Sequence, residues 1–477
     1  MTRLCDLSPL VGLPIYEEVE ITGVQLDSRE IRPGDLFVAI SGHHIDAIHY
    51  LSQALQRGAR AVLSAQRVSE NIPQIVLSSS DEVRRIAGQL VHYFAGNPSS
   101  KLKNYGVTGT NGKTTMTYLL AEVFGIERCG IVGTIDCRYQ EVVLPSKNTT
   151  PSPVEMIRFL KKAMSQGMTH LAFEASSHAL DQHRLSGLKI HGALFTNLSP
   201  EHQDYHSDMA HYARSKKRLL EMVPENAPVV ICLENKYSEA MKTNLNGRVW
   251  TYGFSPSADI WGEVSKSSLY SGVSGKIHFP EGSYSVALNL VGAHNFLNAI
   301  GAATLAYAEG LSPAIICARL SKLKRVPGRL ERLLTSDGKL VFIDYAHTPD
   351  ALEKVLLELR RKTQSRLICV FGCGGERDQK KRPMMGKIVE QLADEIFLTS
   401  DNPRREDPKQ IIQDILNGMD SPAKVSVELD RTISIHRALD LAQPGDIVLI
   451  AGKGHEEYQQ IGEQKFPFSD RSVVEKK

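Results

Sequence analysis

At 477 residues, with 42% apolar and 23% charged side chains, the chain is too long for one ordinary core and rich enough to build several buried sheets, about three domains in all. Its 56 Lys and Arg nearly balance 54 Asp and Glu, so no bulk field favours nucleic acid or a membrane surface, and any site for an anionic substrate has to be local. Residues 1–10 lack the apolar run of a signal peptide and no stretch reaches about 18 apolar residues, which excludes membrane insertion and points to the cytoplasm.

Taken in chain order, two segments read as hinges: the Pro/Gly/Ser-rich 95–104 and the basic turn 322–329. They divide the chain into blocks 1–98, 99–328 and 329–477. The middle block predicts strands at 105–107, 170–173, 193–195 and 229–233, and the last block at 340–343, 366–371, 395–398 and 447–450, with helix-like segments between them. That alternation predicts an α/β fold of three domains, the central one a P-loop-type parallel sheet and the C-terminal one Rossmann-like. Ligands in such folds bind beyond the carboxyl ends of the strands, so residues just after each strand are the site candidates.

The first such place is Gly106-Val-Thr-Gly109-Thr110-Asn111-Gly112-Lys113-Thr114-Thr115, which contains G-x-x-G-K-T between a strand and an apolar helix. Free backbone N–H groups and the positive helix end would face phosphates, with Lys113 neutralising them and the Thr114 hydroxyl on Mg²⁺. The competing reading is a glycine-rich turn with a solvated lysine; the order strand, loop, helix argues for phosphate. Glu174 directly follows the next strand, and His202 follows the one after that. A carboxylate and an imidazole at that edge can hold a divalent ion completed by water and phosphate.

Helical spacing over 209–223 puts Tyr212, Lys216, Leu219, Leu220 and Val223 on one face, so Lys216 points inward while Lys217 and Arg218 reach solvent. A buried lysine is costly unless paired or neutralised; the alternative is a lysine snorkelling from the rim of the core. The seven cysteines are odd in number and irregularly spaced, which argues against a disulfide framework. Cys369 and Cys373 lack a second pair to complete a tetrahedral metal set, and Cys369 lies in the apolar run 367–371, so it reads as a buried strand residue.

Gly109-Thr-Asn-Gly-Lys-Thr114, Glu174-Ala-Ser-Ser-His178, the stretch from Asn197 to His206, Gly292-Ala-His-Asn295-Phe-Leu-Asn298, Pro327-Gly-Arg329 and Asp344-Tyr-Ala-His347-Thr-Pro together resemble the Mur ligase family. These motifs span all three blocks in family order. The resemblance implies an ADP-forming ligase of peptidoglycan precursor synthesis that makes an acyl phosphate from a carboxylate and ATP, which an amine then attacks. It implies ATP contacts at Gly109 through Thr115 and at Asn295, Arg329, Asp344 and His347. It implies Mg²⁺ on Thr114, Glu174 and His202, and catalytic roles for Lys113, His202 and Lys216. Lys216 matches the lysine that the family N-carboxylates with CO₂; the carbamate would hold a second Mg²⁺. Glu201 stands where close relatives often have Asp, a change expected to matter little.

The first block, with Leu26-Asp-Ser28-Arg29, Pro33-Gly-Asp-Leu-Phe37 and Gly42-His43-His44, resembles the UDP-binding domain of family members that add the third amino acid. Ser28, His43, Thr149, Thr150, Ser176, Gln182 and Arg184 match contacts to UDP-MurNAc-L-Ala-D-Glu. In the last block the strand-end loops 372–378, 400–404 and 451–456 offer Arg377, Asp401, Asn402, Pro403, Arg404, Gly452 and Glu456. Guanidinium groups suit a carboxylate and Glu456 an ammonium, and Asp-Asn-Pro-Arg resembles the signature of members that use meso-diaminopimelate. Lysine would leave Arg404 buried and unpaired, an expected discrimination of about a thousandfold. The implied partners are these two small molecules, with no nucleic acid and a monomeric chain. Two alternatives are a folylpolyglutamate synthase-like ligase, against which the first block and 401–404 speak, and a P-loop ATPase that is no ligase.

Overall fold

Short apolar strands separated by amphipathic helices bury a parallel sheet on both faces. A computed structural model, which describes residues 2–41, 46–146, 148–202 and 205–477, has this arrangement in an α/β chain. The expected contact His43, with Gly42 and His44, lies outside the described residues, as does Asp204 of the stretch before His206. The chain forms two compact units, one of Met1–Gly262, Ile277–Tyr284 and Leu297–Arg319, the other of Glu263–Lys276, Ser285–Phe296 and Leu320–Lys477.

Besides the short antiparallel pair Thr2–Arg3 and Glu20–Ile21, the first unit carries two larger sheets. Its N-terminal sheet runs Gly23–Gln25, Asp35–Val38, Ala61–Ser64, Gln74–Val76, all parallel and in chain order. Strand alternation sorts the core there: Leu36, Val38 and Leu63 pack with Val83, Ile86 and Leu90 of the helix Ser80–Phe94, while Phe37 and Val62 face Leu51 and Ala54. The larger sheet runs in the order Val142–Pro145, Asp136–Tyr139, Cys129–Val132, His170–Glu174, Lys103–Thr108, Gly192–Phe195, Pro228–Cys232, Arg248–Gly253. From Cys129–Val132 onward the strands are parallel, and Glu174 pairs with Val107 while Phe195 pairs with Thr108. That register ends three strands at one level, so the phosphate loop, the segment after Glu174 and the segment after Phe195 leave the sheet side by side.

The main sheet of the second unit runs in the order Glu331–Leu334, Leu340–Asp344, Ile447–Ala451, Leu367–Phe371, Glu395–Leu398, Ser426–Val427, with only the first strand antiparallel among these, and a separate hairpin pairs Tyr458–Ile461 with Gln464–Pro467. Phe342, Cys369, Phe371 and Leu449 meet Leu352, Leu356, Met385, Val389 and Ile415 of one helical layer. Val341, Ile343, Val370 and Ile450 meet Ile435, Leu439 and Val474 of the other. Cys369 is fully buried in the middle of this sheet, as the apolar run predicts, and all seven cysteines are free thiols. Among the described residues no helix is long and apolar enough to cross a membrane.

One charged pair lies inside the second layer. Arg431, at the start of the helix Arg431–Leu441, donates from Nε to Asp470 Oδ1 at 2.7 Å and from Nη2 to Asp470 Oδ2 at 2.8 Å, and both side chains are fully buried. Nη2 also reaches the carbonyl of Ala451 at 3.0 Å, at the end of the strand Ile447–Ala451. Removing the carboxylate strands the guanidinium in the core. Asp470→Ala is therefore expected to destabilise the fold by about 3–5 kcal/mol, read from urea unfolding; a loss below about 1 kcal/mol would show that water reaches Arg431.

Candidate active site

The phosphate loop is held rigid by the neighbouring strand end. Asn111 N donates to Asn197 Oδ1 at 3.0 Å, Thr110 N to the Asn197 carbonyl at 2.8 Å, Thr196 Oγ1 to the Asn111 carbonyl at 2.6 Å and Ser199 N to Thr110 Oγ1 at 3.0 Å. Gly109 adopts φ +146°, and a Cβ there would lie 1.9 Å from Thr196 Oγ1, so this close approach requires glycine. The helix Lys113–Phe124 starts where the loop ends. Lys113 Nζ folds back over the loop and donates to the carbonyls of Gly109 and Thr110, both at 2.8 Å.

Glu174 is buried beside it. Its Oε1 accepts from Thr114 Oγ1 at 3.0 Å and from Thr134 N at 2.8 Å, and its Oε2 accepts from Thr134 Oγ1 at 3.1 Å. The carboxylate and the loop hydroxyl expected to share a cation thus already touch. Thr134, which the sequence does not mark out, also accepts from Thr149 Oγ1 at 3.2 Å, so it joins the phosphate end of the site to the residues expected to hold the peptide. There Thr150 Oγ1 donates to the Glu174 carbonyl at 2.7 Å and accepts from Ser176 N at 3.0 Å. Arg184 donates to the Thr150 carbonyl at 3.1 Å and to Gln182 Oε1 at 2.7 Å. Ser28 stands apart from this group, its hydroxyl on Gln53 Oε1 at 2.6 Å.

Lys216 points inward, as helical spacing predicts, and it does not snorkel. It is fully buried on the helix Met209–Glu221, donates from Nζ to the Gly109 carbonyl at 2.7 Å, and lies 4.4 Å from the centre of the Tyr212 ring. Burial, then the nearby charge of Lys113, push its amine well below the ordinary lysine range; Glu201 opposes this weakly. Glu201 Oε2 lies 3.4 Å from Tyr212 OH and 3.7 Å from His202 Nε2. His202 packs edge-on against His178, with ring centres 4.7 Å apart. His206 is buried behind them, and burial lowers its imidazole to about 4, so it is neutral near neutral pH. Among the described residues no group of three His, Cys, Asp or Glu side chains is closed enough to hold a metal by itself.

In the second unit, three expected nucleotide contacts gather around Tyr345, a residue the sequence reading did not single out. Arg329 lies over the Tyr345 ring at 5.2 Å, the His347 ring centre is 4.6 Å away, and His347 Nδ1 is 2.8 Å from the Tyr345 carbonyl. Asp344 accepts from Leu330 N at 2.6 Å and Ala346 N at 2.8 Å, so it ties the Arg329 segment to the strand end. Burial raises the Asp344 carboxyl against the opposing pull of Arg329. Asn295 lies in the first turn of the helix Ala293–Ala308, with Nδ2 on the Val291 carbonyl at 2.7 Å.

The strand-end loops 372–378, 400–404 and 451–456 of this unit lie against one another. A Cβ on Gly374 would lie 3.0 Å from Arg404 Nη1 and 3.8 Å from Arg377 Cγ, and one on Gly452 would lie 2.7 Å from Asp401 Oδ2. Asn402 Nδ2 donates to Glu456 Oε2 at 2.8 Å. Arg404 corrects one expectation: it is only half-buried and donates from Nη1 to the Gly375 carbonyl at 2.6 Å, so a ligand without a distal carboxylate would not leave it bare. Arg377 is exposed, and Pro403 is buried with its carbonyl accepting from Glu406 N at 3.1 Å.

Three family models match the chain: the Mur ligase family catalytic domain over residues 20–91, the Mur ligase middle domain over 107–306 and the Mur ligase glutamate ligase domain over 328–454. The chain is 41% identical, over 95% of its length and 93% of the relative's, to the UDP-N-acetylmuramoyl-L-alanyl-D-glutamate–2,6-diaminopimelate ligase of Aquifex aeolicus (strain VF5). A solved structure of a ligase of that name superposes with a TM-score of 0.67 at 34% identity, covering 97% of this chain and 94% of its own. The folylpolyglutamate synthase of Mycobacterium tuberculosis, solved with ADP and AMPPCP, shares the fold with a TM-score of 0.61 at 19% identity, covering 77% of this chain and 92% of its own.

The crowding around Glu174 makes a specific prediction. A methyl at Gly133 would lie 2.3 Å from Glu174 Oε1, so Gly133→Ala is expected to push the carboxylate off Thr114. MgATP affinity measured by calorimetry is expected to fall about tenfold in a variant that unfolds at the wild-type temperature, a loss of about 1.4 kcal/mol; unchanged affinity would detach Glu174 from the nucleotide site.

Proposed function

The chain belongs to the Mur ligase family, and on that premise we propose that it joins meso-diaminopimelate to the D-Glu carboxylate of UDP-MurNAc-L-Ala-D-Glu at the expense of ATP. The observation that carries the chemistry is the buried contact of Lys216 and Lys113 on one carbonyl of the phosphate loop, with Glu174 on Thr114 beside it. A folylpolyglutamate synthase-like activity is not favoured, because the full-length relatives are named for diaminopimelate while that synthase shares only 19% of residues. The three family matches follow the blocks 1–98, 99–328 and 329–477, the third starting one residue before its block, which supports reading the blocks as a UDP-binding, an ATP-binding and an amino-acid-binding domain. Seven free thiols suit a reducing cytoplasm.

In the reaction the D-Glu carboxylate attacks the γ-phosphorus of ATP, the bond to the bridging oxygen breaks, and ADP leaves. An amine of diaminopimelate then attacks the carbonyl carbon of the acyl phosphate, and phosphate departs as the amide forms. Lys113 and the N-terminus of its helix neutralise charge on the transferred phosphoryl group. Thr114, Glu174 and His202 are the residues that would hold Mg²⁺, which when bound neutralises phosphate charge. Thr150, Ser176, Gln182 and Arg184 form one hydrogen-bonded group that would orient the peptide carboxylate. Arg329, Asp344 and His347 around Tyr345, with Asn295, would contact the nucleotide.

Lys216 has the chemistry of a carbamylation site. Burial and the charge of Lys113 lower its hold on the proton, and the free amine can attack CO₂; the N–C bond forms, a proton leaves the nitrogen, and the product is an anion. A carbamate would also supply the negative charge that Glu174 alone lacks for two cations. Lys216→Ala is expected to be inactive and partly rescued by a small added carboxylic acid, and wild-type enzyme in ¹³CO₂ is expected to show a carbamate resonance that the variant lacks. A fully active enzyme without that resonance would overturn the assignment.

The reading as a whole is tested by product mass with ATP, UDP-MurNAc-L-Ala-D-Glu and each candidate amine; the expected product carries diaminopimelate, and ATP hydrolysis without product would contradict a ligase. Arg404 is expected to pair with the distal carboxylate. Because it is half-buried and already on the Gly375 carbonyl, its share of the discrimination against lysine is about ten- to a hundredfold rather than a thousandfold. Arg404→Ala is expected to raise the KM for diaminopimelate by that factor and leave the KM for ATP unchanged.

A further inference from the structure

Glu456 is expected to receive the distal ammonium of the incoming amino acid, yet its Oε2 is already engaged. It accepts from Lys453 Nζ at 2.9 Å and from Asn402 Nδ2 at 2.8 Å. Lys453 is fully buried, and its Nζ also donates to Asn402 Oδ1 at 3.0 Å. The Gln460 N–H donates to that same Oδ1 at 2.9 Å. Two donors on one end of the Asn402 amide fix its orientation, so its NH₂ must face Glu456. The lysine therefore sets the geometry of two residues expected to touch the substrate, and it does so from a position no solvent reaches.

Its charge has a second consequence. Lys453 sits among the acidic Asp401 and Glu456 and the basic Arg404 and Arg377, so these strand-end loops already offer both signs of charge. The distal end of diaminopimelate is a zwitterion and enters such a pocket without changing its net charge. The side chain of lysine brings an ammonium with no carboxylate, and it meets a Glu456 already neutralised. Low solvent exposure magnifies that difference, because an excess charge there is poorly screened.

We infer that Lys453 is a positioning and specificity-determining residue that selects a zwitterionic distal end over a lone ammonium, an inference that rests on the diaminopimelate reading above. The test uses the full-length enzyme with ATP and UDP-MurNAc-L-Ala-D-Glu, comparing kcat/KM for meso-diaminopimelate and for lysine. In Lys453→Met the ratio of the two is expected to fall at least tenfold, through a higher KM for diaminopimelate and a lower KM for lysine, with the KM for ATP within twofold of wild type. A role in packing alone would lower kcat for both amines together and leave the ratio unchanged. If Lys453→Met does not fold, Glu456→Gln leaves the lysine charge unbalanced and is expected to widen the ratio at least threefold. A folded Lys453→Met within twofold of the wild-type ratio, or a Glu456→Gln whose ratio stays or narrows, overturns the inference. A wild type that uses lysine as readily as diaminopimelate overturns the amine assignment and the inference with it; a selective wild type with an equally selective Lys453→Met overturns only the role of Lys453.

Discussion

The carbonyl of Gly109 accepts two lysines at once, Lys113 at 2.8 Å and Lys216 at 2.7 Å. Two ammonium groups on one oxygen in a buried place repel each other, and burial together with the charge of Lys113 pushes the Lys216 amine well below the ordinary lysine range. Everything at the phosphate end follows from this. Gly109 can present its carbonyl inward only at φ +146°, which excludes a side chain there. Lys216 can reach it only because its helix packs against the strand that precedes the loop. The loop in turn is pinned by Thr196, Asn197 and Ser199, which arrive at that level because Phe195 is paired with Thr108.

Much of this was legible in the sequence. Strand, glycine loop and helix in succession predict the phosphate site, and a lysine among apolar residues at helical spacing predicts the buried amine. Glu174 was legible because it directly follows a strand. What was not legible depends on partners far away in the chain. Thr134 holds Glu174 across 40 positions, and nothing near Thr134 marks it as more than a turn threonine. Tyr345 sits between two residues that were noticed, but its role as a platform for Arg329 is a matter of stacking, which spacing does not encode. The partial exposure of Arg404 and its carbonyl partner appear only once the loop 372–378 is folded against it.

Lys453 illustrates the same limit from the other side. A lysine between two glycines reads as a solvated turn residue, and only the folded loops reveal that its amine ends on Asn402 and Glu456. Its burial is tolerable because two polar groups, the Asn402 amide oxygen and the Glu456 carboxylate, meet it. The same logic separates it from Lys216, which has one carbonyl and a like charge for company.

The loops of the second unit are themselves held by buried arginines. Arg382 lies fully buried with Glu406 on Nη2 and Asp414 on Nη1, each at 2.8 Å, and the other oxygen of Glu406 accepts from Glu376 N. One guanidinium thus binds the loop carrying Arg377 to the loop carrying Arg404. Arg431 does the same for the third loop, joining the Ala451 carbonyl to Asp470. Strand ends bring the three loops to one edge, but a strand end fixes only the first residue or two beyond it. The placement of the residues beyond that point is set here by buried guanidinium groups, Arg382 bridging two carboxylates and Arg431 held by both oxygens of Asp470. Buried arginines that lose heavily on moving are a physical way to make such loops unyielding.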